Sequence, residues 1–349
     1  MDIRLRSLIC RLAADHRLET TEYEALIRSC SPESAALLAE LARQQALQVY
    51  GRRVFIRGLI EISNICKNDC LYCGIRRSNT QCHRYRLSES EILACAEEGW
   101  ALGFRTFVLQ GGEDGFFTDD TLCSIIRQLK TRFSGCAVTL SMGERSWESY
   151  RVLREAGADR YLLRHETADS AHYKSLHPSS MSFENRMQCL QNLKALGYQT
   201  GCGFMVGSPG QTPAHLAKDL KFIEEFQPEM CGIGPFIPHK DTPLGQEPAG
   251  TAALTCCLLS IIRLIRPSIL LPATTALGTL DPHGREMGIL AGANVVMPNL
   301  SPAHARENYQ LYNNKLHSGA ESAQNLEALR HRMAAIGYQV VIDRGDYQG

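Results

Sequence analysis

Asn-Ile-Cys-Lys-Asn-Asp-Cys-Leu-Tyr-Cys-Gly occupies residues 64–74, directly after an apolar run that predicts a strand. Its three cysteines, Cys66, Cys70 and Cys73, follow the spacing C-x3-C-x2-C, and no fourth cysteine completes the set on this loop. Thiolates are the usual ligands of iron–sulfur clusters, and a cubane cluster normally takes four of them. Three ligands leave one iron without a protein ligand, and an open position on a metal indicates chemistry rather than structural support. The stretch therefore predicts a catalytic metal centre on the loop that follows a strand.

A structural zinc site is the simplest alternative for the same cysteines. Such a site takes four protein ligands at short spacing. The nearest candidates for the fourth ligand, Cys82 and His83, begin some nine residues beyond Cys73, which is outside the usual spacing. Zinc in place of iron after anaerobic purification would support this alternative.

The composition is that of an ordinary globular chain of 349 residues, 44% hydrophobic and 21% charged. Basic and acidic residues number 37 each, so no net field draws the chain to nucleic acid or to an anionic membrane. No apolar run reaches the roughly 18 residues of a membrane span, and the first residues lack the apolar core of a signal peptide. We therefore expect a cytoplasmic protein.

Fourteen cysteines is a high number for this length. In a reducing compartment they are thiols or metal ligands rather than disulfides. The cysteines outside the loop lie mostly in apolar patterns, which predict buried free thiols. No cysteine follows Cys257, so we expect a single cluster.

Short apolar runs alternate with amphipathic helices from residue 54 onward. Eight such runs, each but the last followed by a helix, predict an α/β fold of the TIM-type (β/α)8 barrel kind over residues 51–300. A doubly wound open sheet is the competing arrangement. Residues 1–50 predict a helical N-terminal extension, and residues 301–349 a C-terminal tail that packs on the barrel. The predicted strands are Val54–Ile62, Thr106–Gln110, Ala137–Met142, Arg160–His165, Gln199–Val206, Met230–Ile233, Ile269–Pro272 and Asn294–Met297, and the predicted helices lie near 89–102, 119–133, 147–156, 183–196, 213–226, 252–265 and 283–291.

Polar residues and glycines collect where the predicted strands end, which is where barrel enzymes keep their active sites. Gln110 and Gly111 follow the second strand, in a glycine pair that lets a ligand approach the main chain closely. Arg164 and Glu166 follow the fourth strand, where the carboxylate could hold a diol and the arginine an anion. An internal ion pair between these two residues is the structural alternative.

Later elements add further candidates. Arg186 lies early in a predicted helix and could pair with a carboxylate. Met205 precedes a glycine-rich strand exit that would let an adenine lie against the main chain. Thr275 belongs to a pair of hydroxyls suited to a small polar substrate, although threonine is also favoured in strands for steric reasons. The remaining candidates are Met297, at the end of the eighth strand, and Tyr309 and Tyr312, which are as typical of a core as of a site.

These stretches together resemble one branch of the radical S-adenosylmethionine (SAM) superfamily. The branch includes biotin synthase, 3-methylornithine synthase and the HydE-type maturase of iron–iron hydrogenases, and the chain is most similar to the maturase. Biotin synthase is less similar, because its Asn-His-Asn-type motif is replaced here by residues 164–167 and it would need cysteines for a second cluster. The resemblance covers roughly residues 50 to 315 and rests on CLYCGIRR (70–77), RYRLS (84–88), VLQGGED (108–114), DRYLLRHET (159–167), SFENR (182–186), MVGSPGQT (205–212), GIGPFIPHKDTPL (232–244), PATTALGT (272–279), ANVVMPN (293–299) and YQLY (309–312).

The resemblance implies a 4Fe–4S cluster on Cys66, Cys70 and Cys73, with SAM on the open iron. Some relatives carry C-terminal cysteines for an accessory cluster, but this chain has none from Lys315 onward, which leaves one cluster. The residues that would line SAM are Tyr72, Gln110, Gly111, Glu166, Arg186 and Met205. The residues that would line the substrate are Arg164, Thr275, Met297 and Tyr312.

The function implied by the resemblance is reductive cleavage of SAM to methionine and a 5′-deoxyadenosyl radical, in assembly of the di-iron subcluster of iron–iron hydrogenase. The substrate would be a small organometallic iron–cyanide–carbonyl compound or an amino-acid-derived molecule. The implied partners are an electron donor such as ferredoxin or flavodoxin and the other hydrogenase maturases. The alternatives are a 3-methylornithine synthase-like rearrangement of lysine, a biotin synthase-like enzyme, and an iron–sulfur carrier or assembly protein without turnover.

Overall fold

The computed structural model describes residues 1–316 and 322–349. Three helices come first in the chain: Ile3–Asp15, Thr20–Arg28 and Pro32–Tyr50. The third begins where the Ser31 hydroxyl accepts the Ser34 N–H, a standard N-terminal cap with proline in the first helical position. This long helix packs against the helix Ala252–Ile265, so the N-terminal helices lie on the outside of the barrel.

A closed parallel barrel forms the body of the molecule, as the alternation of strands and helices predicts. Six of its strands form one continuous ladder, and single parallel bridges complete the circuit. These bridges join Met230 to Leu270, Pro272 to Val295, and Leu59 to Asn299. The circuit excludes the open-sheet alternative. The six strands in order are Gly58–Ser63, Thr106–Gly111, Ala137–Ser141, Arg160–Leu162, Gln199–Cys202 and Met230–Cys231.

Several predicted strands are shorter or divided in the structure. Val54–Ile62 divides at Arg57, because Arg53–Ile56 joins a separate sheet between Val295–Val296 and Gln339–Val341. Ile269–Pro272 makes only isolated bridges, and Pro272 has no N–H to give to a ladder.

Two further predicted strands end early for backbone reasons. Arg160–His165 is a strand only over Arg160–Leu162, and the chain then turns into a left-handed conformation at Glu166, with φ of 66°. Gln199–Val206 divides at Gly203, where φ is 155° and a Cβ atom would lie 2.1 Å from the Gly232 carbonyl oxygen. The second part, Met205–Val206, pairs with Gly234–Pro235.

The predicted helices of the barrel are confirmed within one or two residues. The structure adds two short helices that the periodicity did not predict, Ser170–Leu176 and Thr275–Leu280. Among the described residues, no helix is both long enough and apolar enough to cross a membrane. The confirmed helices are Glu89–Ala101, Asp119–Arg132, Trp147–Glu155, Phe183–Ala195, Pro213–Phe226, Ala252–Ile265 and Gly284–Leu290.

The last residues of the chain lie at the end of the barrel where the strands begin, because Arg344, Gly345 and Asp346 contact Arg160 at the start of its strand. The tail contains the helices Ala303–Asn308 and Leu326–Ala335 and a 3-10 turn, Ala323–Asn325. The division into three domains at residues 50 and 300 stays a prediction, and residues 317–321 of the predicted tail lie outside the described residues.

A buried arginine ties the tail to this end of the barrel. Arg160 is fully buried and donates to Asp346 Oδ1 at 2.6 Å and to the carbonyl oxygens of Arg344 and Gly345. Partial burial acts to raise the pKa of Asp346, but the bonds from Arg344 and the charge of Arg160 lower it to about 2.

We expect Asp346→Asn to lower the free energy of unfolding at pH 7 by about 1–3 kcal/mol, because it leaves the Arg160 charge buried without its carboxylate. An unfolded aspartate titrates near about 3.9. Because the folded pKa is lower, this stabilisation is present above about pH 4 and is lost as the pH falls towards about 2. Urea unfolding from pH 7 to 3 measures the difference, which should shrink with acid. Asp343→Asn is the control, since an asparagine oxygen still accepts the Gly345 N–H, and an equal loss there would contradict the prediction.

Candidate active site

One cavity of about 350 Å³ opens at the end of the barrel where the strands finish. Every residue that the sequence analysis assigned to the cluster, to SAM or to the substrate lines this cavity. Their common location is a finding of the structure, whereas their individual roles remain predictions. The predicted residues on its wall are Cys66, Cys70, Tyr72, Cys73, Gln110, Gly111, Arg164, Glu166, Arg186, Met205, Thr275, Met297 and Tyr312.

The cysteine loop is held in place by its neighbours on both sides. The Glu113 N–H donates to Cys66 Sγ at 3.4 Å, and the Lys67 N–H donates to the Glu113 carbonyl oxygen at 3.0 Å. On the other side, the Leu71 N–H donates to the carbonyl oxygen of Leu176, the last residue of a short helix. The loop after the second strand therefore positions the cysteines against the cavity.

The three cysteines are partly buried and close enough for their charges to influence one another. Burial raises the pKa of Cys66, and burial with the neighbouring charges of Cys73 and Cys66 raises that of Cys70 well above its ordinary value. Burial raises the pKa of Cys73 to about 12. Such thiols become thiolates when a metal supplies the compensating positive charge.

The three thiols fit the donor set of an iron–sulfur cluster, whose usual ligands are thiolates. Within residues 1–316 and 322–349, no three Cys, His, Asp or Glu side chains converge on one point as ligands of one ion. In a cubane cluster each thiolate binds a different iron, so three sulfur atoms around a cavity suit it. Cys82, the candidate fourth zinc ligand, lies off the cavity wall and accepts from the Asn64 side chain at 3.5 Å.

Arg164 and Glu166 form the ion pair that was the structural alternative for these residues, with Nη2 and Oε2 3.0 Å apart. The angles do not make this contact a hydrogen bond, and Arg164 Nε and Nη2 and Glu166 Oε2 are all buried without a hydrogen-bond partner. Buried polar atoms of this kind cost free energy unless something satisfies them. Glu166 also holds φ at 66°, a conformation that is rare for non-glycine residues and clusters at functional sites. The pair is therefore present but leaves hydrogen-bonding capacity for a ligand.

Arg186 is positioned by a second acidic residue. It is buried, and its Nε donates to Glu144 Oε1 at 2.6 Å while Nη1 donates to the Arg164 carbonyl oxygen at 2.5 Å. These bonds use Nε and Nη1 of the guanidinium, which leaves Nη2 to donate to a carboxylate in the cavity. Glu144 is a residue that the sequence analysis did not single out.

Tyr72 is fixed by another residue that the sequence did not suggest, His177. Burial lowers the pKa of His177 to about 3, so the ring is neutral at physiological pH. His177 Nδ1 lies 2.9 Å from the Tyr173 carbonyl oxygen and must carry the proton. Nε2 is then an acceptor, and the Tyr72 hydroxyl donates to it at 3.2 Å.

A buried ion pair on the cavity wall was also missed. Glu61 is fully buried; its Oε1 accepts from Lys315 Nζ and its Oε2 from the Asn299 side chain, both at 2.8 Å. The signal in the sequence was a glutamate inside the first apolar strand. Its partner could not be found from spacing, because Lys315 lies at the other end of the barrel sequence.

Residues 309–315, here called the C-terminal strap, contribute Tyr309, Leu311, Tyr312 and Lys315 to the wall of the cavity. The Gly74 N–H donates to the Leu311 carbonyl oxygen at 2.9 Å, and the Asn313 N–H to the Pro238 carbonyl oxygen at 3.0 Å. Tyr309 and Tyr312 both line the cavity, and Tyr309 is also buried, so its position is compatible with both the core and the site. The strap is therefore hydrogen-bonded both to Gly74, which follows the cysteines, and to Pro238.

Gly112→Ala should disturb the cysteine loop, because a Cβ there would lie 2.2 Å from the Ile65 carbonyl oxygen and 2.8 Å from Cys66 Cβ. We expect a loss of about 1–3 kcal/mol in unfolding free energy from overpacking, together with a marked fall in iron bound per chain after anaerobic reconstitution. Gly115→Ala is a matched control three residues on, since a Cβ there meets nothing within 4 Å. Equal iron contents in the two variants would refute the prediction.

Comparisons with known proteins agree with this geometry. The model of the Radical SAM superfamily matches residues 60–223. The chain is 48% identical over 279 residues to the [FeFe] hydrogenase maturase subunit HydE of Thermotoga maritima, covering 80% of this chain and 79% of the relative. It is 27% identical to the 3-methylornithine synthase of Methanosarcina acetivorans, over 93% and 90% of the two chains. The crystal structure of methylornithine synthase (PylB) superposes with a TM-score of 0.82 at 24% identity, over 96% of this chain and 97% of that one.

Proposed function

Because the chain belongs to the HydE family of the radical SAM superfamily, we propose that it acts in assembly of the di-iron subcluster of iron–iron hydrogenase. Members of this superfamily are enzymes that use a 4Fe–4S cluster and SAM, and the chain is one of them. The observation that carries the proposal is the single cavity in which the cysteine loop, the unsatisfied Arg164–Glu166 pair and the strap meet.

Cys66, Cys70 and Cys73 would hold the cluster, which when bound and reduced would supply the one electron that cleaves SAM to methionine and a 5′-deoxyadenosyl radical. The protein's own residues bind and orient. In our proposal Glu166 Oε2 accepts hydrogen bonds from the ribose diol, which would satisfy a buried carboxylate oxygen. Arg186 offers its remaining amino group to the carboxylate of SAM, with its own position fixed by Glu144.

Exclusion of water is the second task of the chain. A reactive radical must meet one substrate atom before it meets solvent or protein. Buried apolar side chains such as Met205 and Phe236 form part of the cavity wall, and the strap contributes further residues to it. A cavity of about 350 Å³ would hold the radical and the substrate next to each other, so that they react without first diffusing together.

The substrate side of the cavity is proposed to be the wall that contains Arg164, Thr275, Met297 and Tyr312. An arginine, hydroxyl groups and a thioether suit a small anionic molecule that also carries an apolar or soft surface, as an organometallic precursor does. We propose a cytoplasmic location, a ferredoxin or flavodoxin as the electron donor, and the other hydrogenase maturases as functional partners.

A 3-methylornithine synthase-like reaction is the second candidate, because the barrel superposes on PylB over almost its full length. Two measurements separate the candidates. In the first, apo-hydrogenase is matured with the other maturases in the presence or absence of this chain, and hydrogen evolution is assayed. In the second, the reconstituted chain is given SAM, reductant and lysine, and methylornithine is sought by mass spectrometry. Hydrogen evolution that depends on the chain supports our proposal. Formation of methylornithine, together with hydrogen evolution that does not depend on the chain, would overturn it.

A further inference from the structure

The side chain of Arg84 donates hydrogen bonds to four main-chain carbonyl oxygens around the cysteine loop. It belongs to the stretch RYRLS (84–88), to which no role was assigned above. Its Nη1 donates to the carbonyl oxygens of Asn64 at 2.6 Å and Ile75 at 2.8 Å. Its Nη2 donates to the carbonyl oxygens of Arg76 at 2.6 Å and Asn79 at 3.1 Å. One guanidinium therefore holds four carbonyl groups.

These carbonyl groups flank the cysteines on both sides. Asn64 lies just before Cys66, and the other three acceptors begin directly after Cys73 and Gly74. Arg84 thus joins the beginning of the cysteine loop to its end, so that the segment between them closes into a ring. A planar guanidinium with donors in a fixed fork is suited to this task, and a lysine cannot reproduce its geometry.

Neighbouring side chains hold the same two ends. The Tyr85 N–H donates to Asn64 Oδ1 at 2.8 Å, and Asn64 Nδ2 donates to the His83 carbonyl oxygen at 2.8 Å. Asn79 Nδ2 donates to the Gly74 carbonyl oxygen at 2.7 Å. The ring is therefore a continuous hydrogen-bonded structure with Arg84 at its centre.

The charge of Arg84 is not cancelled by an acid. Within the described parts of the chain, no carboxylate forms an ion pair with its guanidinium, unlike Arg76, which pairs with Asp69, and Arg86, which pairs with Asp114. Its bonds to the carbonyl oxygens of Asn64 and Ile75 hold this positive charge on the cysteine loop, at residues two positions from Cys66 and from Cys73. A cation that favours negative charge on the sulfur atoms also favours the more negative, reduced state of a cluster held by them.

We propose that Arg84 is a positioning residue for the cluster: its four bonds preorganise the cysteine loop, and its uncompensated charge stabilises the reduced state. The inference rests on the assignment of Cys66, Cys70 and Cys73 to the cluster in the proposed function. The inference has a geometric part, the four hydrogen bonds, and an electrostatic part, the positive charge. Different substitutions remove these two parts.

Arg84→Gln removes both parts, and Arg84→Lys keeps the charge but removes the fork. Arg77→Gln is the control: Arg77 is exposed on the same loop, and its side chain makes no hydrogen bond or ion pair with the described residues. It therefore removes the same charge from the loop without removing a carbonyl partner. Each protein is reconstituted anaerobically, and its fold is checked by circular dichroism.

Two readouts other than turnover test the inference: the rate at which a chelator removes iron, and the midpoint potential from a redox titration followed by electron paramagnetic resonance. We expect Arg84→Gln to lose iron at least about tenfold faster, in the range found for residues that support metal ligands, and to have a more negative potential. We expect Arg84→Lys to lose iron faster with its potential unchanged, and Arg77→Gln to match the wild type in both.

Wild-type iron retention and potential in Arg84→Gln would overturn the inference, and so would equal shifts in Arg77→Gln. A lower melting temperature alone, with both readouts unchanged, would assign Arg84 to the fold and also overturn it. If Arg84→Gln does not fold, iron retention in Arg84→Lys decides the geometric part and the inference is limited to that part. Failure of the cluster assignment itself is distinguishable, because Cys70→Ala would then keep a wild-type cluster.

Discussion

Cys70→Ala is expected to reduce formation of 5′-deoxyadenosine from SAM by more than about 10³-fold, down to the background without protein. Cys70 lines the cavity and lies between Cys66 and Cys73 in the sequence. Its removal leaves two thiolates on the loop. We expect the cluster to need all three thiolates, and two thiolates are too few to retain it. The product is quantified by liquid chromatography after anaerobic reconstitution with iron, sulfide and dithionite.

Cys95→Ala is the matched control for this loss. Cys95 is also a buried cysteine, but it lies in the helix Glu89–Ala101 on the outside of the barrel. We expect this variant to keep its iron and its turnover. A Cys70→Ala protein that cleaves SAM at the wild-type rate would remove the cluster from this loop, and with it the proposed site.

Glu166→Gln is expected to raise the KM for SAM about 10- to 100-fold, with a smaller change in kcat. The estimate corresponds to the loss of one charge-assisted hydrogen bond, worth roughly 1.5–3 kcal/mol. Glutamine keeps the size of the side chain, so the effect reports the charge that Oε2 offers to the diol. SAM dependence of 5′-deoxyadenosine release gives both constants.

The control for Glu166→Gln is Glu184→Gln, an exposed glutamate on the helix Phe183–Ala195, which also carries Arg186. We expect no change in KM there. If Glu166→Gln lowered kcat and left KM unchanged, the carboxylate would act in the transition state rather than in binding SAM, and our assignment of its role would be wrong.

The sequence predicted the barrel because its signals are local. Each strand is a short apolar run, each helix has a cap or a periodic face, and the catalytic candidates follow strand ends such as Gln110-Gly111 and Arg164–Glu166. In a parallel barrel those ends meet at one rim, so correct strands bring the candidates together without further information. The cavity lining confirms that convergence.

The parts that the sequence did not predict depend on contacts between distant residues. Lys315 pairs with Glu61 across most of the barrel sequence, and His177 becomes a partner of Tyr72 only when the short helix Ser170–Leu176 places it there. The break of the first strand at Arg57 has the same origin, since the residues before it pair with the C-terminal strand Gln339–Val341. The hydrophobic periodicity of a segment does not predict which distant residues it will contact.

The unequal closure of the barrel divides the active site into two halves. The cysteine loop and Glu166 follow strands of the continuous ladder, and Gln110 lies in one of these strands. Thr275 and Met297 follow segments joined to the ladder by single bridges or short pairings. In our proposal, most residues assigned to the cluster and to SAM lie on the part of the barrel with the most shared hydrogen bonds. Thr275 and Met297 of the proposed substrate wall lie on the part with the fewest, although Arg164 of the same wall follows the continuous ladder. Such a barrel can keep one reagent constant while its target changes through substitutions on the loosely joined side.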